Sequence, residues 1–305
     1  MFAAPKVIKT ELVARVPEQY HVKDRVCDRY GTRSIYIEGP ALARDGTLYF
    51  VDIPAGRIFR LSPQGKLDLF VEYDGHPNGL KIHKDGRIFI ADYKNGIMWA
   101  DPATGKITPF LVRIANERLR GPNDLAFAPN GDLYFTDQGN SDYLRSHGRV
   151  VRVQASGEAE ILMENLPSPN GICISPSGDA LYVALTRTNN VLKAPLEIPP
   201  GLLTTSYVGT TGVFVQMSGG IGPDGMAVDE DGSLAVAHTG MGCVWLFSNR
   251  GEPLYRVETC AGQSISNLVY GGEDRRTLYI TESSTGSVLR ASMPTPGARL
   301  YSHYD

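Results

Sequence analysis

Residues 123–137 read NDLAFAPNGDLYFTD, and five other stretches of the chain follow the same pattern. A polar residue opens an alternating apolar run, a turn rich in Gly, Asp and Asn follows, and a second β-rich run completes the unit. Asp-Gly and Asn-Gly favour the positive φ angles of tight hairpin turns. The other copies are EGPALARDGTLYFVD at 38–52, NGLKIHKDGRIFIAD at 78–92, NGICISPSGDALYVAL at 170–185, DGMAVDEDGSLAVAH at 224–238 and NLVYGGEDRRTLYITE at 267–282.

The copies begin 40 to 54 residues apart. Several strands per unit at this period are typical of a β-propeller. The sequence therefore predicts an all-β fold, a six-bladed β-propeller with a central metal site, formed by residues 1–305 as a single domain. A strand-like run at residues 9–16 precedes the first copy, and the last copy lacks a full outer blade. We expect the N-terminal run to complete that blade and so close the ring.

The residues that open the six copies are predicted to form a ring around the central channel. Each has a side-chain oxygen, and together they are Glu38, Asn78, Asn123, Asn170, Asp224 and Asn267. Carboxylate and amide oxygens are the ligands that Ca²⁺ prefers. Since neither His nor Cys belongs to the ring, the pattern argues against a thiolate or imidazole zinc site. Polar residues at strand starts also serve structural roles, and for Asn78 and Asn267 that interpretation stays open.

Composition excludes several classes of function. The net charge of −3 comes from interspersed signs without a basic tract, so we expect neither nucleic acid nor a membrane as partner. The start lacks a secretory signal pattern, and four scattered cysteines lack the spacing of a disulfide framework. The expected setting is cytoplasmic, with a small molecule as partner and a monomer or small homo-oligomer as the assembly.

The repeated segments together resemble the SMP-30/gluconolactonase/LRE-like family over nearly the whole chain. The resemblance implies a six-bladed propeller with one divalent metal in the channel and hydrolysis of sugar lactones or organophosphorus esters. It implies that Glu38, Asn170 and Asp224 bind the metal, while Asn123 completes the coordination or holds the substrate. Ca²⁺ is the first expectation, with Zn²⁺, Mn²⁺, Mg²⁺ and Fe²⁺ as alternatives.

The catalytic candidates are Asp224 and Asn123. A metal polarises a lactone carbonyl and lowers the pKa of water, and the Asn123 amide is suited to donate to the developing oxyanion. The resemblance suggests Asp224 as the base, although contact with a cation lowers the pKa of a carboxylate and weakens it as a base. Asp224 therefore either deprotonates the attacking water, attacks the electrophile covalently, or serves as a ligand only.

Candidate substrate contacts lie near the start of each copy or in loops. They are Asn78, His76, Arg120 and Cys27; Arg120 stands beside Gly121, where one mammalian branch of the family carries arginine. We expect residues 22–33, with the insertion at residues 142–147, to form much of the pocket wall. His238 occupies the position of Asp52, Asp92 and Asp137 in other copies and is expected away from the metal.

Two other functions stay open at this point. Propellers also serve as rigid binding platforms, so the chain is alternatively a metal-stabilised platform or sensor without turnover. The second alternative is an organophosphorus ester hydrolase. A hydrolase needs converging acids and a metal with vacant coordination positions, whereas a platform needs neither. The ring of polar residues therefore favours the enzyme.

Overall fold

The chain is described by a computed structural model over residues 3–22, 34–196 and 210–305. Six sheets of mainly antiparallel strands surround a central channel, as the repeats predict. Helical structure in the described ranges consists of short 3₁₀ turns at Glu18–Tyr20, Ile53–Ala55, Thr186–Thr188 and Tyr301–His303. None of these described helices is long or apolar enough to cross a membrane.

The strands follow the six sequence repeats, with the innermost strand of each blade first in chain order. The N-terminal strands are β1 (Lys6–Lys9) and β2 (Glu11–Arg15). Blade one contains β3 (Ile37–Leu42), β4 (Leu48–Asp52), β5 (Arg57–Leu61) and β6 (Leu67–Glu72). Blade two contains β7 (Pro77–Ile82), β8 (Ile88–Asp92), β9 (Gly96–Ala100) and β10 (Ile107–Leu111), followed by the short hairpin β11 (Arg113–Ile114) and β12 (Glu117–Arg118).

The second half of the molecule repeats this arrangement. Blade three contains β13 (Pro122–Phe127), β14 (Leu133–Asp137), β15 (Gly148–Val153) and β16 (Ala159–Leu166). Blade four contains β17 (Pro169–Ile174), β18 (Ala180–Leu185), β19 (Asn190–Pro195) and β20 (Gly212–Gln216). Blade five contains β21 (Gly222–Val228), β22 (Leu234–Thr239), β23 (Cys243–Phe247) and β24 (Pro253–Glu258), and blade six contains β25 (Ile265–Gly271), β26 (Thr277–Glu282) and β27 (Ser287–Ser292).

The ring closes through the N-terminus, which confirms the expectation from strand counting. β2 pairs antiparallel with β27, with Glu11 opposite Arg290, and so supplies the outer strand of blade six. The preceding strand β1 was not expected. It pairs parallel with β24 and extends blade five to five strands. One N-terminal segment thus joins two neighbouring blades and covers their outer edges.

The hydrophobic core lies between the faces of neighbouring blades. Leu80 and Ile90 of blade two pack in one cluster with Val51 and Ile58 of blade one, and all four are essentially inaccessible to solvent. Equivalent clusters lie between the other blades. This packing surrounds the innermost strands, and β25 contacts β3 to complete the circle. The residues that open these strands therefore have fixed positions around the channel.

Candidate functional site

Five of the six predicted ring residues line one cavity at an end of the channel. The cavity measures about 410 Å³. Its lining includes Glu38, Asn78, Asn123, Asn170 and Asp224, all of them at least nine-tenths buried. The sixth ring residue, Asn267, is also buried and lies against Glu38, because its Nδ2 donates to Glu38 Oε2 at 3.0 Å.

The glycine that follows most ring residues is explained by close packing of the innermost strands. A Cβ at Gly39 would lie 2.2 Å from the carbonyl oxygen of Asn78, and one at Gly171 would lie 2.2 Å from the carbonyl oxygen of Asp224. Real Cβ atoms do not approach backbone so closely, so only glycine permits these strands to come together. The Asn-Gly and Asp-Gly pairs at strand starts are therefore packing features, distinct from the hairpin turns later in each copy.

Asp124 stands where most other copies have this glycine, and its side chain is buried between strands. A Cβ at the neighbouring Gly79 would lie 2.5 Å from Asp124 Oδ1, so Gly79 leaves the space that the carboxylate occupies. Asp124 Oδ1 accepts from the backbone of Leu125 at 2.8 Å and lies 3.4 Å from Lys81 Nζ. Its Oδ2 accepts from Asn267 Nδ2 at 3.3 Å. Asp124 therefore lies beside the ring, in contact with its sixth member Asn267.

Acidic side chains are clustered at this end of the channel. Burial and then the charges of Asp224 and Asp124 raise the pKa of Glu38 well above its ordinary value. Hydrogen bonds from Asn267 and from the backbone of Gly39 act in the opposite direction. Mutual repulsion between these acids favours binding of a cation near Glu38 and Asp224.

The amide side chains of the ring are oriented by hydrogen bonds behind them. Asn123 Nδ2 donates to Gln138 Oε1 at 3.3 Å, and Gln138 Nε2 in turn donates to Ser168 Oγ at 3.0 Å. Asn170 Nδ2 donates to Thr186 Oγ1 at 3.1 Å. Asn123 Oδ1 is buried and has no hydrogen-bond partner among the described residues. A buried acceptor without a partner lowers the stability of the folded state. Binding of a donor or a cation to this oxygen would remove that cost.

The residues present fit a hard divalent cation. Every candidate donor is an oxygen, and the set combines two carboxylates with two amide side chains, which suits Ca²⁺. Counted by His, Cys, Asp and Glu alone, residues 3–22, 34–196 and 210–305 contain no group of three arranged to hold a metal. The site therefore depends on the amide oxygens, and in particular on the unpartnered Asn123 Oδ1.

The walls of the cavity differ in part from the sequence-based expectation. Residues 139–142 line it, so the start of the blade-three insertion lies on the same face as Glu38. His76 and Arg120 are absent from the lining, and the Arg120 guanidinium bonds His147 O and Glu117 instead. The exposed Arg187 is the one basic side chain that the described ranges contribute to the lining.

Some sequence-based site predictions lie elsewhere. Cys27 and nearly all of the 22–33 segment fall outside the described residues, so their predicted roles stay predictions, as do those of His76 and Arg120. His238 is buried outside the cavity lining, 3.0 Å from Gly219 O and 3.2 Å from Trp245 Nε1. Burial lowers the pKa of His238. Its position agrees with the expectation that it does not serve the ring.

A set of carboxylates at strand ends holds the loops around the cavity, and sequence reasoning missed this function. Asp137 Oδ1 accepts from the backbone of Arg120 at 2.7 Å and of Gly121 at 2.8 Å, while its Oδ2 accepts from the buried Arg149 at 2.8 Å. Asp92 and Glu282 bind the backbone of their own blades' loops in the same way. The sequence contains a pattern that could have indicated this function. An acidic residue ends the second β-rich run in four of the copies, which read FVD, IAD, FTD and ITE at that point.

A second cavity of about 260 Å³ lies at the other end of the innermost strands. Its walls are mostly apolar and include residues three positions after the ring, such as Ala126 and Cys173. The C-terminal segment crosses this mouth: Tyr301 stacks on Phe127 with ring centroids 4.9 Å apart. Burial raises the pKa of the Cys173 thiol, so this cysteine is not an activated nucleophile.

Comparison with known proteins agrees with this architecture. A family model described as "SMP-30/Gluconolactonase/LRE-like region" matches residues 37–284. A gluconolactonase of Zymomonas mobilis subsp. mobilis is 30% identical over 288 residues, covering 85% of this chain and 79% of that protein. The lactonase drp35 of Staphylococcus aureus is 30% identical over 234 residues, covering 74% and 70%.

Among solved structures, a calcium-binding protein, regucalcin, from Agrobacterium tumefaciens has the same fold. Its TM-score is 0.76 at 22% identity, with 97% of this chain and all of that chain covered. At this identity the likeness concerns the fold alone. The family model spans most of the chain, including all six ring residues. The chain therefore belongs to the SMP-30/gluconolactonase/LRE-like family.

Proposed function

We propose that this protein is a metal-dependent lactonase that opens a small lactone to its hydroxy acid. Glu38, Asn123, Asn170 and Asp224 would hold one divalent cation, with Ca²⁺ the first expectation. The observation that carries the proposal is the buried Asn123 Oδ1, which lacks a partner in the part of the chain that the structure describes and belongs to an all-oxygen donor set lining the 410 Å³ cavity. The names of the relatives, gluconolactonase and lactonase, support the substrate class.

When bound, the cation would supply Lewis-acid polarisation of the lactone carbonyl and charge stabilisation of the oxyanion. The protein would supply orientation. Gln138 holds the Asn123 amide through Nδ2 at 3.3 Å, and Thr186 holds Asn170 in the same way at 3.1 Å. Such preorganised polar groups stabilise developing charge without reorganising during the reaction. Asn123 is therefore proposed both as ligand and as the residue that positions the carbonyl.

The reaction adds one water across the acyl C–O bond of the ring. In the proposed route Asp224 accepts a proton from the attacking water, and the departing ring oxygen takes up a proton to become the hydroxyl of the product. Asp224 suits this role because its buried side chain lines the cavity beside Glu38. In the covalent alternative Asp224 attacks the acyl carbon, the ring C–O bond breaks and a mixed anhydride forms. Water that then attacks the Asp224 carbonyl carbon leaves its labelled oxygen in the Asp224 carboxylate during a single turnover and releases the hydroxy acid.

Substrate contacts are proposed for two lining residues. Asn78 belongs to the ring and is 3% exposed, so it would contact the lactone deep in the cavity. Arg187 is exposed at the mouth and would attract the carboxylate product or a polar substituent. Arg187 replaces Arg120 in this proposal, because the Arg120 guanidinium is held by His147 O and Glu117.

The protein would act in the cytoplasm on a small molecule, as a monomer or small homo-oligomer. Cys173, Cys243 and Cys260 carry free thiols, which agrees with a reducing compartment. The chain contains 30 Lys and Arg and 33 Asp and Glu residues, and the resulting net charge of −3 offers no attraction to nucleic acid.

The test is hydrolysis of a panel of γ- and δ-lactones and of phosphotriesters in weakly buffered indicator solution. We expect acidification with lactones, abolition by EDTA and restoration by Ca²⁺. Glu38→Gln and Asp224→Asn should each weaken Ca²⁺ binding in calorimetric titration while the far-UV spectrum is unchanged, because each removes a charge that holds the cation. The exposed changes Glu158→Gln and Asp231→Asn serve as controls.

Three outcomes would contradict the proposal in different ways. Turnover of phosphotriesters but not lactones would favour the organophosphorus esterase. Cation binding without turnover of either class would favour the binding platform. Unchanged Ca²⁺ affinity in both Glu38→Gln and Asp224→Asn would remove these residues from the cation site.

A further inference from the structure

The residues three positions after the ring form a second layer of the channel, and one of them is charged. Lys81 follows Asn78 by three residues on β7. Its counterparts on the other innermost strands are Ala41, Ala126, Cys173, Ala227 and Tyr270. The Lys81 side chain is only 24% exposed and lines the second cavity. A largely buried lysine among uncharged counterparts needs an explanation beyond packing.

We propose that Lys81 is a positioning residue that sets the charge of the cation site and so its preference for divalent ions. It acts through Asp124 and Asn267, without touching substrate or cation. The inference rests on the cation-binding part of the proposed function and goes beyond it, because it assigns a role to a residue from the opposite end of the channel.

A continuous path of contacts joins Lys81 to the ring. Lys81 Nζ lies 3.4 Å from Asp124 Oδ1, and Asn267 Nδ2 is 3.3 Å from Asp124 Oδ2. The same Asn267 nitrogen is 3.0 Å from Glu38 Oε2. Glycines make room for both side chains: a Cβ at Gly79 would meet Asp124 Oδ1 at 2.5 Å, and one at Gly225 would meet Asn267 Cγ at 2.0 Å. Glycine at positions 79 and 225 therefore provides the space that the side chains of Asp124 and Asn267 occupy.

The charges along this path add up to the charge of a divalent cation. Glu38, Asp124 and Asp224 contribute three negative charges when ionised, and Lys81 returns one positive charge. The buried group then carries two net negative charges, which one divalent ion neutralises. Without the Lys81 charge, the three carboxylates would carry three net negative charges and would suit a trivalent ion better. Buried charges act strongly over several ångströms because screening by water is weak.

This charge relationship predicts effects of opposite sign for the two members of the pair. Lys81→Met should strengthen cation binding, because a positive charge is removed, and Asp124→Asn should weaken it. The double variant should return towards the wild-type affinity. We expect about a tenfold or larger change in Kd for Ca²⁺ in each single variant. For Tb³⁺ the change in log Kd should be about one and a half times as large, since Coulomb energy scales with ion charge.

The experiment titrates Ca²⁺ by calorimetry and Tb³⁺ by luminescence into the full-length wild type and the variants. Lys81→Arg keeps the charge and should bind both ions as the wild type does. Lys66→Met removes a lysine charge at a side chain that is 75% exposed and is the matched control. Lys81→Gln is the second neutral variant if Lys81→Met fails to fold, as judged by circular dichroism.

A merely structural Lys81 would give a different result. If Lys81 only held the site together, both Lys81→Met and Asp124→Asn would loosen the site and lower its affinity for Ca²⁺ and for Tb³⁺. That outcome would overturn the inference. Unchanged affinity of the neutral Lys81 variants, with normal binding by the wild type, would overturn the inference and leave the proposed function standing. If the wild type binds neither ion, the proposed cation site fails, and this inference fails with it.

Discussion

Asn267 Nδ2 donates to Glu38 Oε2 at 3.0 Å and so links the last blade to the first at the mouth of the channel. The two residues are 229 positions apart in the chain and meet only when the ring closes. The same nitrogen reaches Asp124 Oδ2 of blade three at 3.3 Å. One amide therefore restrains two buried carboxylates, and the geometry of the candidate site depends on closure of the propeller.

Replacement of Asn267 by alanine should weaken cation binding without unfolding the protein. The change removes the donor that orients Glu38. Loss of a residue that hydrogen-bonds to a metal ligand typically lowers metal affinity by about 10- to 100-fold. The measurement is the Kd for Ca²⁺ by calorimetric titration. Asn249→Ala changes an exposed asparagine in the turn between β23 and β24 and is the control. Equal affinity in wild type and Asn267→Ala would leave Asn267 a purely structural residue.

Asn123→Ala should reduce turnover more than it reduces cation affinity. Gln138 holds the amide nitrogen, and the amide oxygen has no partner within residues 3–22, 34–196 and 210–305, so the substitution removes both a proposed ligand and a preorganised polar group. We expect kcat to fall on the order of 10²-fold at saturating Ca²⁺, as for loss of one oxyanion donor. The fall in kcat should be larger for Asp224→Asn. Wild-type kcat in Asn123→Ala beside an inactive Asp224→Asn would make Asn123 a replaceable ligand.

The blade-three insertion should govern which lactones are accepted. Tyr143 is 70% exposed and Leu144 is 88% exposed, while Asp142 beside them lines the cavity. Replacing residues 143–146 with a Gly-Ser sequence should change relative kcat/KM values across a lactone panel several-fold, because large side chains at a rim contact substituents of the substrate. The Kd for Ca²⁺ should stay the same. An unchanged substrate ranking would show that the insertion contacts no substrate.

Asp85 should contribute stability that disappears in acid. Burial would raise the pKa of Asp85, but hydrogen bonds from the side chain and backbone of Arg87 and from His83 outweigh it and lower the pKa to about 2. The unfolded chain has an ordinary aspartate pKa of about 3.9. The stabilisation is therefore fully present above that value and is lost as the pH falls towards 2.

Urea unfolding at pH 5, 3 and 2 measures this effect. The midpoint difference between wild type and Asp85→Asn should be largest at pH 5 and shrink towards pH 2. Asp45→Asn changes the turn carboxylate at the equivalent position of blade one, where Asp45 Oδ1 accepts from Thr47 N, and is the control. A difference that is constant across this range would mean that Asp85 titrates alike in the folded and unfolded chains.

The fold was predictable because its signals are local and repeated. Each copy carries a hairpin turn and two alternating runs, and the spacing of six copies sets the number of blades. The closing strand could also be predicted, since β2 supplies the strand that the last copy lacks. The parallel pairing of β1 with β24 could not, because a short exposed strand has no pattern that identifies a partner about 250 residues away.

The sequence by itself determined which residues lie near the start of the innermost strands, and therefore that Glu38, Asn78, Asn123, Asn170 and Asp224 share one cavity. This follows from register, since equivalent positions of equivalent strands lie at equal heights around the channel. The sequence also carried the strand-end carboxylates, although their bonds to neighbouring loops appear only in the folded ring.

Only the tertiary structure decided how the channel charges are paired. Lys81 lies 43 residues from Asp124 in the chain, and Asn267 lies 143 residues from it, yet the three side chains form one path. Likewise the structure brought Arg187 to the cavity and bound Arg120 to Glu117. Side-chain direction and contacts between blades arise from closure of the ring, and no local pattern along a single strand encodes them.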